Sequence, residues 1–212
     1  MTNLINTHAH SSCLTESFNC FLQILFGSLS LETSSDIDET RLASQAANNP
    51  QAFDELYRHY VNRVYAYHLV RTGSREEAED LTSLTFLSAL EGIKGYQHKK
   101  NFGIWLFGIA RHKLADHYRQ PLSLPLESAV VAEEGLEESV DYRMKLQQVS
   151  RALTCIDPDR VEALCLRFFG QMSTLEMSLL LSKSEGAVRN LVYRALQDLR
   201  GQLISNEKLE EK

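Results

Sequence analysis

The chain has 212 residues, enough for one or two small domains, each with a modest core. Four cysteines do not make a disulfide framework and fit a reduced, cytoplasmic setting, and no run reaches the roughly 18–20 apolar residues of a membrane span, so no membrane insertion is expected. The formal net charge of −6 is unevenly spread, with an acid excess in residues 1–52, six acids and no base in 120–142, and a small basic excess in 53–119 and 143–206.

Two mildly basic blocks separated by an acidic strip suit two separate nucleic-acid contacts. The excess in each block is small, so tight sequence-specific binding by the chain alone is not expected.

Residues 1–35 match nothing downstream. They are rich in Ser, Thr and Asn, with one apolar stretch from Phe18 to Leu31 that no basic residue precedes, which makes a poor secretion signal. His8, His10, Cys13 and Cys20 are not at a usual zinc spacing, and no metal or cofactor is expected. The segment reads as a disordered or dispensable extension, and ordered structure is expected from a helix near Asp38 to Asn48, followed by Pro50.

Phe53 to Arg71 is an amphipathic helix, with Phe53, Leu56, Tyr57, Tyr60, Val64, Tyr67 and His68 at i, i+3, i+4, i+7 spacing. Thr72-Gly73 ends it. Ser74 and Glu77 form a capping box for a helix running to about Ile93. Ala78, Leu81, Thr85 and Ala89 make one buried stripe, while Leu84, Phe86, Leu87, Leu90 and Ile93 cover much of the rest. A helix apolar nearly all round is central in a bundle or packed against a second protein, and both can hold together.

After Gly95 a loop joins the aromatics Tyr96 and Phe102 to Lys99 and Lys100, and a helix from Phe102 to Arg119 adds Trp105, Arg111, His112, Lys113 and Arg119. Rings beside cations serve unpaired bases and backbone phosphates, although the same residues serve a core and a solvated face. Pro121, Pro125 and Gly135 then punctuate a flexible acidic linker.

Helices resume near Asp141, the first carried by Leu146, Val149, Ala152 and Leu153. Asp157 as cap with Pro158 at the first helical position starts another, which is expected to end at Gly170. Ser173 and Glu176 form a capping box, Ser182-Lys183-Ser184 interrupts the helix, and Ser184 caps a second one bearing Arg189, Asn190, Tyr193 and Arg194. A short helix, a tight turn and a longer polar-faced helix make a helix-turn-helix, whose second helix enters the DNA major groove. No strand pattern competes. The expected fold is all-α: two small helical domains joined by a flexible acidic linker, the second a four-helix domain. The expected boundaries are 1–35, 36–119, 120–141 and 142–206.

Several segments resemble bacterial RNA polymerase sigma factors of the extracytoplasmic-function type, which keep two helical domains called regions 2 and 4. They are Phe53-Asp54-Glu55-Leu56-Tyr57, Ala78-Glu79-Asp80-Leu81-Thr82, Thr85-Phe86-Leu87, Trp105-Leu106 with Ile109-Ala110-Arg111, Asp116-His117-Tyr118-Arg119, Ser184-Glu185-Gly186-Ala187-Val188 and Tyr193-Arg194-Ala195. The resemblance runs from about Asp36 to Leu203, in the family's order. It implies a non-enzymatic factor that binds core RNA polymerase and directs promoter-specific transcription initiation. Asp80, Leu81, Leu84, Thr85 and Phe86 would bind polymerase. Tyr96, His98, Lys99, Lys100, Asn101, Trp105, Arg111, His112 and Arg119 would take the melted non-template strand of the minus-ten element. Ser184, Glu185, Gly186, Arg189, Asn190, Tyr193 and Arg194 would read the duplex minus-thirty-five element. An anti-sigma factor is a further partner it allows.

The chain departs from the family's Leu-Gly-Ile-Ser turn with Leu181-Ser182-Lys183-Ser184 and carries Leu191 where the recognition helix commonly has arginine. Against the family pattern, these differences imply a weaker region 4 or an unusual promoter choice. The alternative function is a stand-alone helix-turn-helix regulator, which would bind specific DNA without polymerase. A metal-dependent hydrolase has little support, since no carboxylate pair sits beside a histidine pair.

Overall fold

A computed structural model describes residues 38–96, 101–119 and 149–210, with side chains as far as 202. The described residues are helical, without strands. The first unit holds α1 (Glu39–Gln45), α2 (Pro50–Thr72), α3 (Arg75–Gly92), a 3-10 turn (Ile93–Gly95) and α4 (Phe102–Arg119). The second holds a helical segment at 149–154, then α5 (Pro158–Phe168), α6 (Thr174–Leu181) and α7 (Glu185–Glu210). The extension, the linker, His98, Lys99 and Lys100 lie outside the described residues.

Local signals set the helix ends. Asn49 caps α2 through Gln51 N, and Pro50 occupies the first turn, where its missing N–H costs nothing. The helix therefore starts earlier than Phe53. Gly73, at φ 70°, closes it in the left-handed region that glycine enters freely. Asp157 caps α5 through Asp159 N and Arg160 N, and the helix ends at Phe168, short of the expected Gly170. Helix α7 continues to Glu210, beyond the expected boundary at 206.

The Ser173–Glu176 capping box is complete in both directions. The expected Ser74–Glu77 box is only half made. Ser74 Oγ accepts from Glu77 N at 3.4 Å, but Glu77 turns its carboxylate to His117 Nε2 at 3.3 Å.

The core of the first unit is built on α2, which packs against α1, α3 and α4 and touches α5. Leu56, Tyr60, Val64 and Tyr67 are buried on the expected face; Ala66, Leu69 and Val70 are buried as well, because neighbours surround the later turns. Ala78, Leu81, Thr85 and Ala89 of α3 form the predicted inward stripe. Of the second apolar set, Phe86 and Ile93 are buried in the unit's own core while Leu84, Leu87 and Leu90 are exposed; Phe86 packs edge-on against Tyr57 at 4.7 Å.

Two polar ties brace this core. Glu39 accepts from Tyr60 Oη at 2.6 Å and from the backbone N–H of Phe102 and Gly103 at 2.8 and 3.3 Å, placing a carboxylate on the positive end of α4. Inside, Thr85 donates its hydroxyl to Leu81 O at 2.7 Å, so it accepts from His68 Nε2 at 3.2 Å. That bond leaves Nδ1 bare, and Nδ1 has no partner. Burial first, then Arg71 and His117, hold the His68 pKa down at about 3, and the ring is neutral.

Candidate macromolecular interfaces

Three surfaces gather the candidate residues. On α3, Asp80, Leu84, Leu87 and Leu90 point outward, and the leucines are 47, 56 and 52% exposed. Positions 80, 84 and 87 follow i, i+4, i+7, so an acid heads a stripe of leucines on one face. A contiguous apolar stripe beside charge is what a protein partner covers. The structure corrects the inner half of the expected polymerase set. Leu81, Thr85 and Phe86 are buried in the unit's own core, so they set the helix's orientation instead of offering contact surface. Leu87 and Leu90 are exposed beside Leu84; their exposure follows from the spacing of Ala78, Leu81, Thr85 and Ala89, which turns positions 87 and 90 away from the core.

The second surface lies at the start of α4. Asn101 accepts from Ile104 N at 3.3 Å and so caps this helix, while its Nδ2 donates to Glu176 of α6 at 3.0 Å. Tyr96 was expected to stack on bases, but it is buried, with its ring 5.0 Å from Trp105 and 5.9 Å from Phe102. Trp105 is half-buried in that cluster, 5.6 Å from Phe102. The aromatics here satisfy one another. His112 and Arg119 are exposed, Arg119 with Asp116 at 3.6 Å in a solvated pair worth little.

Arg111 does not face solvent freely. Its Nε lies 2.9 Å from Glu162 Oε1 on α5, close enough for an ion pair but misaligned for a hydrogen bond, and that N–H has no other partner. Glu162 also receives Arg71 Nη1 at 2.8 Å and Tyr67 Oη at 3.0 and 3.1 Å. Burial first and then the Glu162 carboxylate raise the Tyr67 pKa well above that of a free phenol, so Tyr67 remains a donor. Arg63 donates to Gly170 O through Nε, at 3.1 Å, and through Nη2. The sequence reading gives no role to Glu162, Arg63 or Arg71, and marks Glu176 only as the capping partner of Ser173. The available signal was Glu162 at the head of an otherwise apolar stripe, with Cys165, Leu166 and Phe169 at i+3, i+4 and i+7.

The third surface is α7. Ser184 Oγ accepts from Ala187 N at 3.2 Å, as its position before the helix predicts. Val188, Ala195 and Leu199 turn inward. Ser184, Glu185, Gly186, Arg189, Asn190, Tyr193 and Arg194 are all exposed, and space beside Gly186 is open. Arg189 makes only a weak surface pair with Glu185 at 3.4 Å.

The helix-turn-helix is held from beneath by Arg160 on Asp198 at 2.7 Å and Lys183 on Asp159 at 3.1 Å. In the turn, Ser182 stands at φ 54°, in the left-handed region that favours glycine, and Leu191 is half-buried against the core.

Residues 56–121 match the family model described as Sigma-70 region 2, and residues 146–199 match Sigma-70, region 4. The chain is 34% identical over 160 residues to the ECF RNA polymerase sigma factor BldN of Streptomyces coelicolor, covering 72% of this chain but only 61% of BldN. It is 31% identical to the ECF RNA polymerase sigma factor SigC of Mycobacterium tuberculosis, covering 76% of this chain and 89% of SigC. Two solved structures share the fold: CnrH in complex with the cytosolic domain of CnrY (24% identity, TM-score 0.64, 79% of this chain and 97% of that one) and the sigma factor RpoE in complex with the anti-sigma factor NepR from Bartonella quintana (22% identity, TM-score 0.56, 72% and 97%).

Proposed function

The chain belongs to the extracytoplasmic-function group of sigma-70 factors, and from that membership we propose how its surfaces divide the work of promoter-specific transcription initiation. The family's activity is to direct RNA polymerase to promoters, so the stand-alone regulator reading is not favoured. The first unit, residues 36–119, docks on core RNA polymerase through Asp80 and the leucine stripe. It takes the melted minus-ten strand along the start of α4, with Asn101, Trp105, Arg111, His112 and Arg119 on the described part. The second unit, residues 142–206, lays α7 in the major groove of the minus-thirty-five element. The linker, 120–141, joins them.

The observation that carries this reading is the α7 face. Seven polar or small residues from 184 to 194 are exposed on one helix that follows a tight turn. The factor works by binding, without catalysis and without a cofactor, and acts in the cytoplasm where polymerase is. An anti-sigma factor is a further partner, in keeping with the protein-bound states in which its structural relatives were solved. Among the described residues no helix is long and apolar enough to cross a membrane.

The deciding experiment is reconstitution with core polymerase on a promoter library. Enrichment of promoters sharing minus-ten and minus-thirty-five elements is expected, and Asp80→Arg should weaken binding to core polymerase at least tenfold in a direct titration while leaving helicity unchanged. Specific promoter binding at nanomolar concentration by the chain without polymerase would overturn the reading in favour of a stand-alone regulator.

A further inference from the structure

The seam between the two units carries a polar cluster in which basic groups of the first unit meet acceptors of the second. On the first unit stand Arg63, Arg71 and Arg111; on the second, Glu162 meets Arg71 and Arg111, and Gly170 O meets Arg63. Side-chain exposure at the centre is 17% for Arg71 and 13% for Glu162. One carboxylate thus holds two guanidinium groups and a phenol together, out of most of the water. Removing it would leave two cations facing each other at close range with nothing to neutralise them, so the pairing is strongly one-sided. Nearby, Glu176 engages Asn101, and Arg111 Nη1 approaches Leu180 O at 3.5 Å.

Two guanidinium groups converging on one pair of oxygens are also the geometry that holds a phosphodiester. Asn101 and Arg111 were assigned above to the minus-ten strand, and both are occupied here by acids of the second unit. We propose that Glu162 is an intramolecular latch: it fills the phosphate position on the first unit, holds the two units closed, and must leave before Arg111 can take promoter DNA. The inhibitory half of this proposal rests on the sigma-factor reading; the clasp itself does not. In the closed form the chain withholds its own minus-ten surface, and release exposes Arg71, Arg111 and Asn101 together.

Cys165 reports on the seam. It lies one turn beyond Glu162 on the same face of α5, is fully buried, and is close enough to Arg71 for the guanidinium to act on its thiol. Burial pushes this thiol up to about 12, with Arg71 pulling the other way, so it is protected both sterically and chemically while the latch is shut.

The test uses the full chain with Cys13, Cys20 and Cys155 changed to serine, so that Cys165 is the sole thiol, treated with N-ethylmaleimide in the absence of polymerase. Slow labelling is expected. Glu162→Gln should accelerate it at least tenfold with the helical circular dichroism retained, and should tighten binding to mixed-sequence single-stranded DNA several-fold. Equal labelling of parent and variant, or fast labelling of the parent, would overturn the latch. Faster labelling without tighter DNA binding would overturn its inhibitory role. Should Glu162→Gln lose helicity, the charge swap Arg71→Glu with Glu162→Arg serves instead: it should restore the protection that Glu162→Arg alone removes, and failure to restore it in a folded protein overturns the pairing. None of these arms involves initiation, so their failure is distinct from failure of the promoter reading.

Discussion

The recognition helix and the minus-ten surface are both read as nucleic-acid interfaces, yet one stands open and the other is occupied. On α7 all seven candidate residues are exposed and the charged ones make no more than a weak surface pair. On the first unit, Asn101 and Arg111 are tied to the second unit, and Tyr96 is folded into an aromatic cluster. The difference follows from how each surface is made. A face of a single helix is fixed by period alone and needs nothing beyond its own caps. A surface assembled from a helix start, a loop and a neighbouring helix is available to other chemistry in the same molecule, and acids of the second unit have taken it. Availability, more than composition, separates the two.

Four changes would break or sharpen that contrast. The largest acts on the brace of the first unit. A Cβ at Gly103 would meet Tyr60 Oη at 2.7 Å and Asn101 Oδ1 at 3.0 Å, so Gly103→Val should cost about 3 kcal/mol in urea unfolding and disturb the Asn101 cap with it. Stability within a few tenths of the parent would show that this brace yields easily.

Next come the arginines of the open face. Arg189 and Arg194 lie about 140° apart around the helix, so one suits a base edge and the other a phosphate. Replacing the base reader with alanine should cost about 1–3 kcal/mol in promoter binding by the polymerase complex and relax one promoter position. Replacing the phosphate holder should weaken all promoters alike and flatten the salt dependence. A double alanine variant that initiates normally from promoters needing the upstream element would remove α7 from recognition.

The third concerns pH. His68 has its pKa lowered from 6.5 to about 3, so the folded state prefers the neutral ring. Its contribution to stability is whole above pH 6.5 and declines as pH falls from there toward 3. Going from pH 7.5 to 5.5 should therefore remove about 1.4 kcal/mol through this residue, and His68→Leu should flatten that slope even if the variant is less stable at every pH. Denaturant titrations at the two pH values, showing the same slope in both proteins, would assign the acid sensitivity elsewhere.

The smallest tunes the second unit. Ser182 adopts a left-handed conformation that costs a side-chain-bearing residue about 1–2 kcal/mol, while glycine adds roughly 0.5–1 kcal/mol of backbone entropy on unfolding. Ser182→Gly should then stabilise the helix-turn-helix by about 0.5–1 kcal/mol, read as a raised melting temperature. A lowered one would mean that the Ser182 side chain contributes more than the strain it imposes.

Helix ends were legible where the chain carries its own punctuation: Ser173 with Glu176, Asp157-Pro158 and Gly73 act on the backbone within four residues of themselves, whereas the Asn49-Pro50 start of α2 was read three residues late, at Phe53. The inward stripe of α3 and the outward face of α7 were legible for the same reason, since period alone decides them. Tyr96 and Trp105 were not, because aromatics next to cations look alike in sequence whether they stack on bases or on each other. Glu162 was hidden more deeply. A single glutamate in a short helix is ordinarily solvated, and its partners Tyr67, Arg71 and Arg111 stand 95, 91 and 51 residues away, so only the packing of two units reveals them.

Glu39 sits seventeen residues before the region 2 match begins at 56. Its carboxylate is nevertheless what receives Tyr60 and the first two N–H groups of α4. A fragment cut at the edge of the recognisable family segment would strand a buried phenol and two amide hydrogens at the very end of the helix that carries Arg111. The smallest self-sufficient form of the first unit therefore starts no later than Asp38, whose own carboxylate caps α1 through Arg41 N. Deletion series walking in from the amino terminus should show a sharp step in melting temperature between 38 and 40, well before any residue of the conventional domain is touched.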